Sequence, residues 1–155
     1  MPQLSLHSPL GPLTLSEEDG KIISLDWGWG RDQTETPLLC DARDWLDKWF
    51  DDPKALGACP FPLEAFGTPY QQKVWAALCA IPVGTVTTYQ ALAHSVGGSA
   101  RSVGQAVGRN PIPILIPCHR VVARHGLGGY SGDGGVDDKK WLLALEEATL
   151  PSFKK

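Results

Sequence analysis

Three prolines within the seven positions 111–117 constrain this chain more than any other feature. The stretch reads Asn110-Pro111-Ile112-Pro113-Ile114-Leu115-Ile116-Pro117-Cys118-His119-Arg120-Val121-Val122. Each proline fixes φ and removes a backbone donor, so the segment can be neither a helix interior nor a central strand. Its isoleucines and leucine nonetheless demand burial. A buried, rigid, non-repetitive segment that ends on a cysteine beside a histidine and an arginine suits the holding of one thiol in a fixed place. His119 and Arg120 are the kind of basic partners that thiolate activation needs. The competing reading is a core loop whose cysteine is only a small hydrophobe, as most free cysteines are.

Charge is distributed unevenly. The net charge is −3, but residues 1–64 carry −7 and residues 133–155 carry −1, whereas residues 65–132 carry +5 with no Asp or Glu at all. That block holds Lys73, Arg101, Arg109, Arg120 and Arg124. A basic surface of this kind in an acidic chain reads as one that meets phosphate or another anion, nucleic acid first. The competing reading is a low-charge core region. The four cysteines (Cys40, Cys59, Cys79, Cys118) contain no C-x-x-C pair, which fits neither a zinc ribbon nor a disulfide framework and points to a reducing compartment. No basic start leads into an apolar run, and no stretch has the apolar length of a membrane span, so a soluble, cytoplasmic protein without a membrane partner is expected.

Taken in order, the chain predicts an α+β fold. Residues 3–8, 12–16 and 21–27 alternate or are rich in β formers, with turn signals at Pro9-Leu10-Gly11 and Asp19-Gly20, and they predict a small antiparallel sheet. From Leu38 to Phe50 apolar residues recur at three- and four-residue steps, an amphipathic helix to cover that sheet. Nothing in this third has the look of a site. A proline-rich linker over 51–67 divides the chain into 1–64 and 65–155. Thr68-Pro69-Tyr70-Gln71 is a capping box opening a helix to about Ile81, with Val74, Trp75, Leu78 and Ile81 inward. Thr88 starts a short helix to Val96 with Ala91, Leu92 and Val96 inward. Gly97-Gly98 forms a turn, and Ser99 caps a third helix to about Gly108. Short helix, glycine turn and second helix make a helix-turn-helix pattern. The second helix is nearly bare: Ala100, Ser102, Gly104, Ala106 and Gly108 surround Arg101, which suits close approach to a groove wall or the minor groove. After a glycine-rich loop, Asp137 is expected to cap a last helix from Asp138 to about Thr149, with Trp141, Leu142 and Leu145 inward and Glu146 at the stripe's edge.

A thiol nucleophile works best with a base that a third group orients. Carboxylates are missing from 65–132, so the orienting group for Cys118 and His119 has to come from one end, and Glu146 is the best-placed candidate.

The Pro-Cys-His-Arg core with its upstream Asn-Pro resembles the active-site signature of the 6-O-alkylguanine-DNA alkyltransferases, also called methylated-DNA–protein-cysteine methyltransferases. The likeness covers roughly residues 66–148. It includes Thr85-Val86-Thr87-Thr88-Tyr89, Ser99-Ala100-Arg101-Ser102-Val103-Gly104, Tyr130-Ser131-Gly132 and Trp141-Leu142-Leu143-Ala144-Leu145-Glu146. The N-terminal third matches only in outline. The resemblance implies a ribonuclease-H-like N-terminal domain and a winged-helix-like C-terminal one. It implies one-turnover transfer of an alkyl group from 6-O-alkylguanine, and from 4-O-methylthymine, in double-stranded DNA to Cys118 after base flipping, by a monomer without cofactor or metal. His119 would take the thiol proton through a water, Glu146 would orient the imidazole, and Asn110 would brace the turn. Tyr89 would offer its hydroxyl to guanine N3. Arg101 would fill the gap in the duplex, approached from the minor groove, with Ser99, Ala100, Ser102, Gly104, Arg109, Arg120, Thr88 and Gln90 also on DNA. Val121, Val122, Tyr130 and Ser131 would line the pocket. The chain departs from the pattern in having ten residues between Tyr130 and Trp141, about two more than the family pattern, which bears on how bulky an adduct fits. Competing readings are a lesion-flagging relative, which would lack the acceptor cysteine, a helix-turn-helix regulator, which has no use for Pro-Cys-His-Arg, and a cysteine hydrolase, for which no oxyanion arrangement is evident.

Overall fold

The computed structural model describes residues 1–129 and 135–148. Strands β1 (Gln3–Leu6), β2 (Leu13–Glu18) and β3 (Lys21–Trp27) form an antiparallel meander in sequence order. Its register aligns Leu4 with Leu15 and Leu15 with Leu25, so one face is a row of buried leucines. Helix α1 (Pro37–Asp51) lies against that row with Leu39, Ala42, Leu46, Trp49 and Phe50, as its three- and four-residue spacing predicts. Thr36 caps it by accepting from the Leu39 N–H at 3.1 Å.

The chain leaves the sheet through the short helix α2 (Pro53–Leu56) and returns to it. Ile22 N–H donates to the Pro62 carbonyl at 3.0 Å, and Glu64 N–H donates back to Ile22 at 2.9 Å. Leu25 N–H donates to the Pro111 carbonyl at 3.0 Å, which joins the sheet directly to the proline-rich stretch. On the far side, Thr34 N–H donates to the Gln3 carbonyl at 2.7 Å, and the Gln33 side chain accepts from Ser5 N–H at 2.9 Å.

Helices α3 (Pro69–Cys79), α4 (Tyr89–Val96) and α5 (Ala100–Gly108) follow, the last two joined by the Gly97-Gly98 turn. Thr68 and Gln71 form the expected capping box, and Ser99 and Ser102 form a second one on α5. Two-residue strands β4 (Thr87–Thr88) and β5 (Val121–Val122) pair in parallel, which seats the start of α4 beside the residues after Cys118. Helix α6 (Val136–Leu145) closes the described chain. Buried apolar side chains from Leu4 to Leu142 form one continuous cluster through both halves. No helix among the described residues is long and apolar enough to cross a membrane.

Three expectations about the elements are corrected. Helix α4 buries Ala93, not Ala91, since Leu92, Ala93 and Val96 face the core. Helix α3 ends at Cys79, and Ile81 is only half-buried. Helix α6 begins two residues early, with Gly135 at its N-cap and no side-chain cap from Asp137. It buries Lys139, Leu142 and Leu143, while Trp141 stays 37% exposed. The wide indole stays at the surface against Phe50, with ring centroids 6.1 Å apart.

Candidate active site

The proline-rich stretch folds as a braced loop. Asn110, itself buried, donates from Nδ2 to the Ile116 carbonyl at 2.9 Å and accepts the Ile112 N–H on Oδ1 at 2.9 Å. One side chain therefore satisfies both strands of the loop where prolines cannot. Ile114 sits at φ 73°, a left-handed conformation that a β-branched residue adopts only when its surroundings impose it. The loop ends in a 3₁₀ turn, Cys118–Arg120, with all three side chains buried.

Cys118 is 3% exposed, and its thiol is pushed up to about 11. Burial is the main cause, opposed by a hydrogen bond from Asn110 and the charge of Lys139. It therefore rests as the neutral thiol, next in the chain to a histidine. His119 is fully buried, and burial holds its pKa below the usual value despite Glu146, so the imidazole is neutral and able to accept a proton. Its Nε2 lies 2.8 Å from Glu146 Oε2, while its buried Nδ1 has no protein partner among the described residues. Trp49 of α1 packs edge-on against the imidazole at 6.4 Å, so the N-terminal third does contribute a wall to this centre.

Glu146 is fully buried at the C-terminal end of α6. Burial alone would raise its pKa, but hydrogen bonds from His119 and Arg120 outweigh that and hold it low. Arg120 donates from Nε to both carboxylate oxygens at 3.0 and 3.2 Å, from Nη2 to Oε2 at 2.6 Å, and from Nη1 to the Ile81 carbonyl at 2.6 Å. The expectation that Arg120 meets DNA is therefore corrected: at 5% exposure its guanidinium is consumed as an internal clamp. The other four cations of the block, Lys73, Arg101, Arg109 and Arg124, are exposed.

Lys139 is the residue that sequence reasoning missed. It is fully buried on the same face of α6 as Leu142, Leu143 and Glu146, and that i, i+3, i+4, i+7 spacing was the available signal. Its Nζ donates to the Val121 carbonyl at 2.6 Å and to Gly129 at 3.1 Å, and lies 5.8 Å from the centre of the Tyr89 ring. Burial lowers it to about 8. Tyr89, half-buried at the start of α4, is pushed up by burial and by Cys118, so its hydroxyl keeps its proton. The ring fits because one neighbour, Gly128, lacks a side chain, whereas Gly104 leaves room for ordinary contact. A Cβ at Gly128 (φ 74°) would lie 2.8 Å from the Tyr89 hydroxyl, and one at Gly104 would lie 3.8 Å from the ring.

Cys118, His119, Glu146, Asn110 and Tyr89 thus converge, with Val121 and Val122 fully buried just beyond them. Ser99, Ala100, Arg101 and Arg109 on α5 and Gln90 on α4 are exposed, whereas Ser102, Gly104 and Thr88 are half-buried. Arg109 lines an open groove with Thr68, Tyr70, Gln71 and Gln105. Tyr130 and Ser131 lie outside the described residues. Among the described residues no three His, Cys, Asp or Glu side chains gather as a metal ion would require.

Comparison with known proteins agrees with this arrangement. Residues 69–148 match the model of the 6-O-methylguanine DNA methyltransferase, DNA binding domain. The chain is 39% identical to the methylated-DNA–protein-cysteine methyltransferase of Methanosarcina barkeri, over 94% of this chain and 96% of that protein. It is also 39% identical to the constitutive enzyme of that name from Bacillus subtilis, over 90% and 92%. The crystal structure of Mycobacterium tuberculosis OGT in complex with DNA superposes with a TM-score of 0.83 at 36% identity, covering 95% of this chain and 93% of that one. With the family's motif residues gathered around one buried thiol and the likeness running nearly end to end, the chain belongs to the 6-O-methylguanine DNA methyltransferase family.

Proposed function

We propose that this protein repairs DNA by direct reversal, moving the alkyl group of 6-O-alkylguanine to the Cys118 sulfur in a single turnover. The observation that carries the proposal is the buried chain of contacts from Arg120 through Glu146 to His119, one residue from a buried neutral thiol. In this reading Glu146 fixes the imidazole through Nε2, and Nδ1 takes the thiol proton through a water. The sulfur then attacks the alkyl carbon in line, the S–C bond forms as the C–O bond breaks, and guanine leaves with the electron pair. The proton held by His119 returns to the leaving base, while the Tyr89 hydroxyl donates to guanine N3 as its charge builds. The thioether product has no leaving route, so the protein is consumed.

The exposed Arg101, on a helix with small neighbours, supports entry from the minor groove and replacement of the extruded nucleotide, whose unstacking costs a few kcal/mol. Arg109, Gln90 and the α5 N-terminus would track the backbone. Because few phosphates can be neutralised, affinity for undamaged duplex would be modest and salt-sensitive. The same reading divides the chain at 64/65 into a bracing part and a DNA-binding, alkyl-transfer part. It makes the protein a cytoplasmic or nucleoid-associated (in a eukaryote, nuclear) monomer that needs no cofactor. The test is the mass of the protein after incubation with a duplex containing 6-O-methylguanine. One methyl on the Cys118 peptide, mole for mole, is expected. Lesion binding with an unchanged mass, or repair beyond one equivalent, would sink the proposal.

A further inference from the structure

Helix α5 carries Arg101, and helix α3 holds it at two points. Near its C-terminal end, Trp75 Nε1–H donates to the Ala106 carbonyl at 2.8 Å in a buried contact. At its N-terminal end the anchor is Tyr70. Its hydroxyl donates to the Gly97 carbonyl at 2.9 Å and lies 2.9 Å from Ser102 Oγ. Ser102 Oγ in turn accepts the Ser99 N–H at 3.0 Å.

Each hydroxyl has one proton, and one arrangement satisfies all three contacts. Ser99 N–H donates to Ser102, Ser102 O–H donates to Tyr70 at 2.9 Å in preference to the Ser99 carbonyl at 3.1 Å, and Tyr70 O–H donates to Gly97. Such a chain polarises along its length and spans the whole 97–102 turn. The turn is also pressed onto it: Gly98 sits at φ 93°, and a Cβ there would lie 2.5 Å from the Tyr70 hydroxyl and 2.6 Å from Ser102 Oγ. Arg101 is exposed between Ser99 and Ser102, the two residues that this chain and the capping box fix. Its side chain has no ion-pair or hydrogen-bond partner among the described residues, so its aim depends on the backbone beneath it.

We propose that Tyr70 is a positioning residue for the DNA-entering helix, holding the α4–α5 turn so that Arg101 is aimed before a duplex arrives. The inference rests on the alkyl-transfer reading and assigns to α3 a part in it. Removing one such hydrogen-bonded hydroxyl should slow single-turnover transfer from a lesion duplex by about five-fold. The experiment is a cycle of four proteins: wild type, Tyr70→Phe, Arg101→Ala and the double substitution, each followed by intact mass against time and by urea unfolding. If Tyr70 acts through Arg101, Tyr70→Phe slows transfer in the wild-type background but hardly at all once Arg101 is gone. Its effect on the unfolding midpoint should be the same in both backgrounds. Ser102→Ala, which cuts the same chain from the other side, should reproduce the loss and add little to Tyr70→Phe. An equal loss in both Arg101 backgrounds, or no loss, overturns the inference while leaving alkyl transfer standing. A wild type that transfers nothing overturns both.

Discussion

Replacing Arg120 with methionine separates the two fates open to a basic residue beside a DNA-reading surface. Methionine keeps the length and apolar stem of arginine, so the change removes pairing more than volume. What disappears is the three-contact grip on Glu146 and the bond to the Ile81 carbonyl. A carboxylate stranded in a fully buried site by loss of its partner costs about 3–5 kcal/mol. Urea unfolding should therefore show a free energy lowered by that amount, read as a lower midpoint at unchanged slope. The same substitution lets burial dominate Glu146, whose pKa rises. In the wild type the folded pKa of Glu146 lies below its unfolded value of about 4.3, so its contribution is present above that pH and is lost as pH falls through the folded value. In Arg120→Met the sign reverses: with the folded pKa above the unfolded value of about 4.3, stability is greatest below that pH and falls as pH rises towards the folded value. His119 then faces a neutral acid, and alkyl transfer should slow by about a hundred-fold. Arg120→Lys keeps the charge without the fork and should fall between. Wild-type stability in Arg120→Met, with the salt slope of duplex binding reduced by about one, would place the guanidinium on a phosphate and refute the clamp.

Other predictions follow from the same geometry. Gly128→Ala adds a Cβ 2.8 Å from the Tyr89 hydroxyl at φ 74°, so it should cost about 1–2 kcal/mol and slow transfer by pushing the phenol aside; an intact-mass time course matching the wild type would contradict this. Asn110→Ala strands the buried Ile112 N–H, while the Ile116 carbonyl keeps the Cys118 N–H, and should destabilise by about 1–3 kcal/mol in urea, a midpoint within error of wild type being the contrary result. Lys139 and Cys118 make opposed contributions at alkaline pH. Lys139, at about 8 when folded against about 10.4 unfolded, makes stability rise over that interval. Cys118, at about 11 against about 8.5, makes it fall. The wild type should be nearly flat there, while Cys118→Ala reveals the rise and Lys139→Met the fall, each of about 3 kcal/mol; identical pH slopes in all three would refute the pairing.

Features written in local pattern were legible before any coordinates. The meander shows in alternation and the Asp19-Gly20 turn, α1 in its spacing, and α3 in the Thr68–Gln71 box. The His119–Glu146 pair was reachable because a carboxylate-free block leaves few candidates. What escaped depends on facts that sequence pattern does not encode. Charge says that Arg120 is cationic but not that its guanidinium points inward, since that follows from where α6 delivers Glu146. Lys139 escaped because lysine is so rarely buried that the face it shares with Leu142 and Glu146 reads as accidental. Beginning α6 at Asp138 then turned Trp141 inward in its place. Strands β4 and β5, two residues each, are too short to show any period. Trp49 lies on an ordinary apolar stripe, and nothing in the stripe reveals that the His119 imidazole is what it touches.

The bonds that tie the N-terminal sheet to its surroundings bear on more than the seating of a loop. A three-stranded sheet has two outer strands, and each ordinarily offers a row of unpaired amides and carbonyls to any passing chain. Here β1 is engaged by Gln33 and Thr34, and β3 by the segment around Pro62 to Glu64 and by Pro111. The partner of β3 at Leu25 is the proline loop of the reactive thiol itself. Cutting the chain at the linker would therefore give a fragment 1–64 with an isoleucine- and leucine-bearing β3 whose Leu25 amide is open to strand-to-strand association. The solubility of the N-terminal part and the placement of the cysteine thus rest on the same backbone contact.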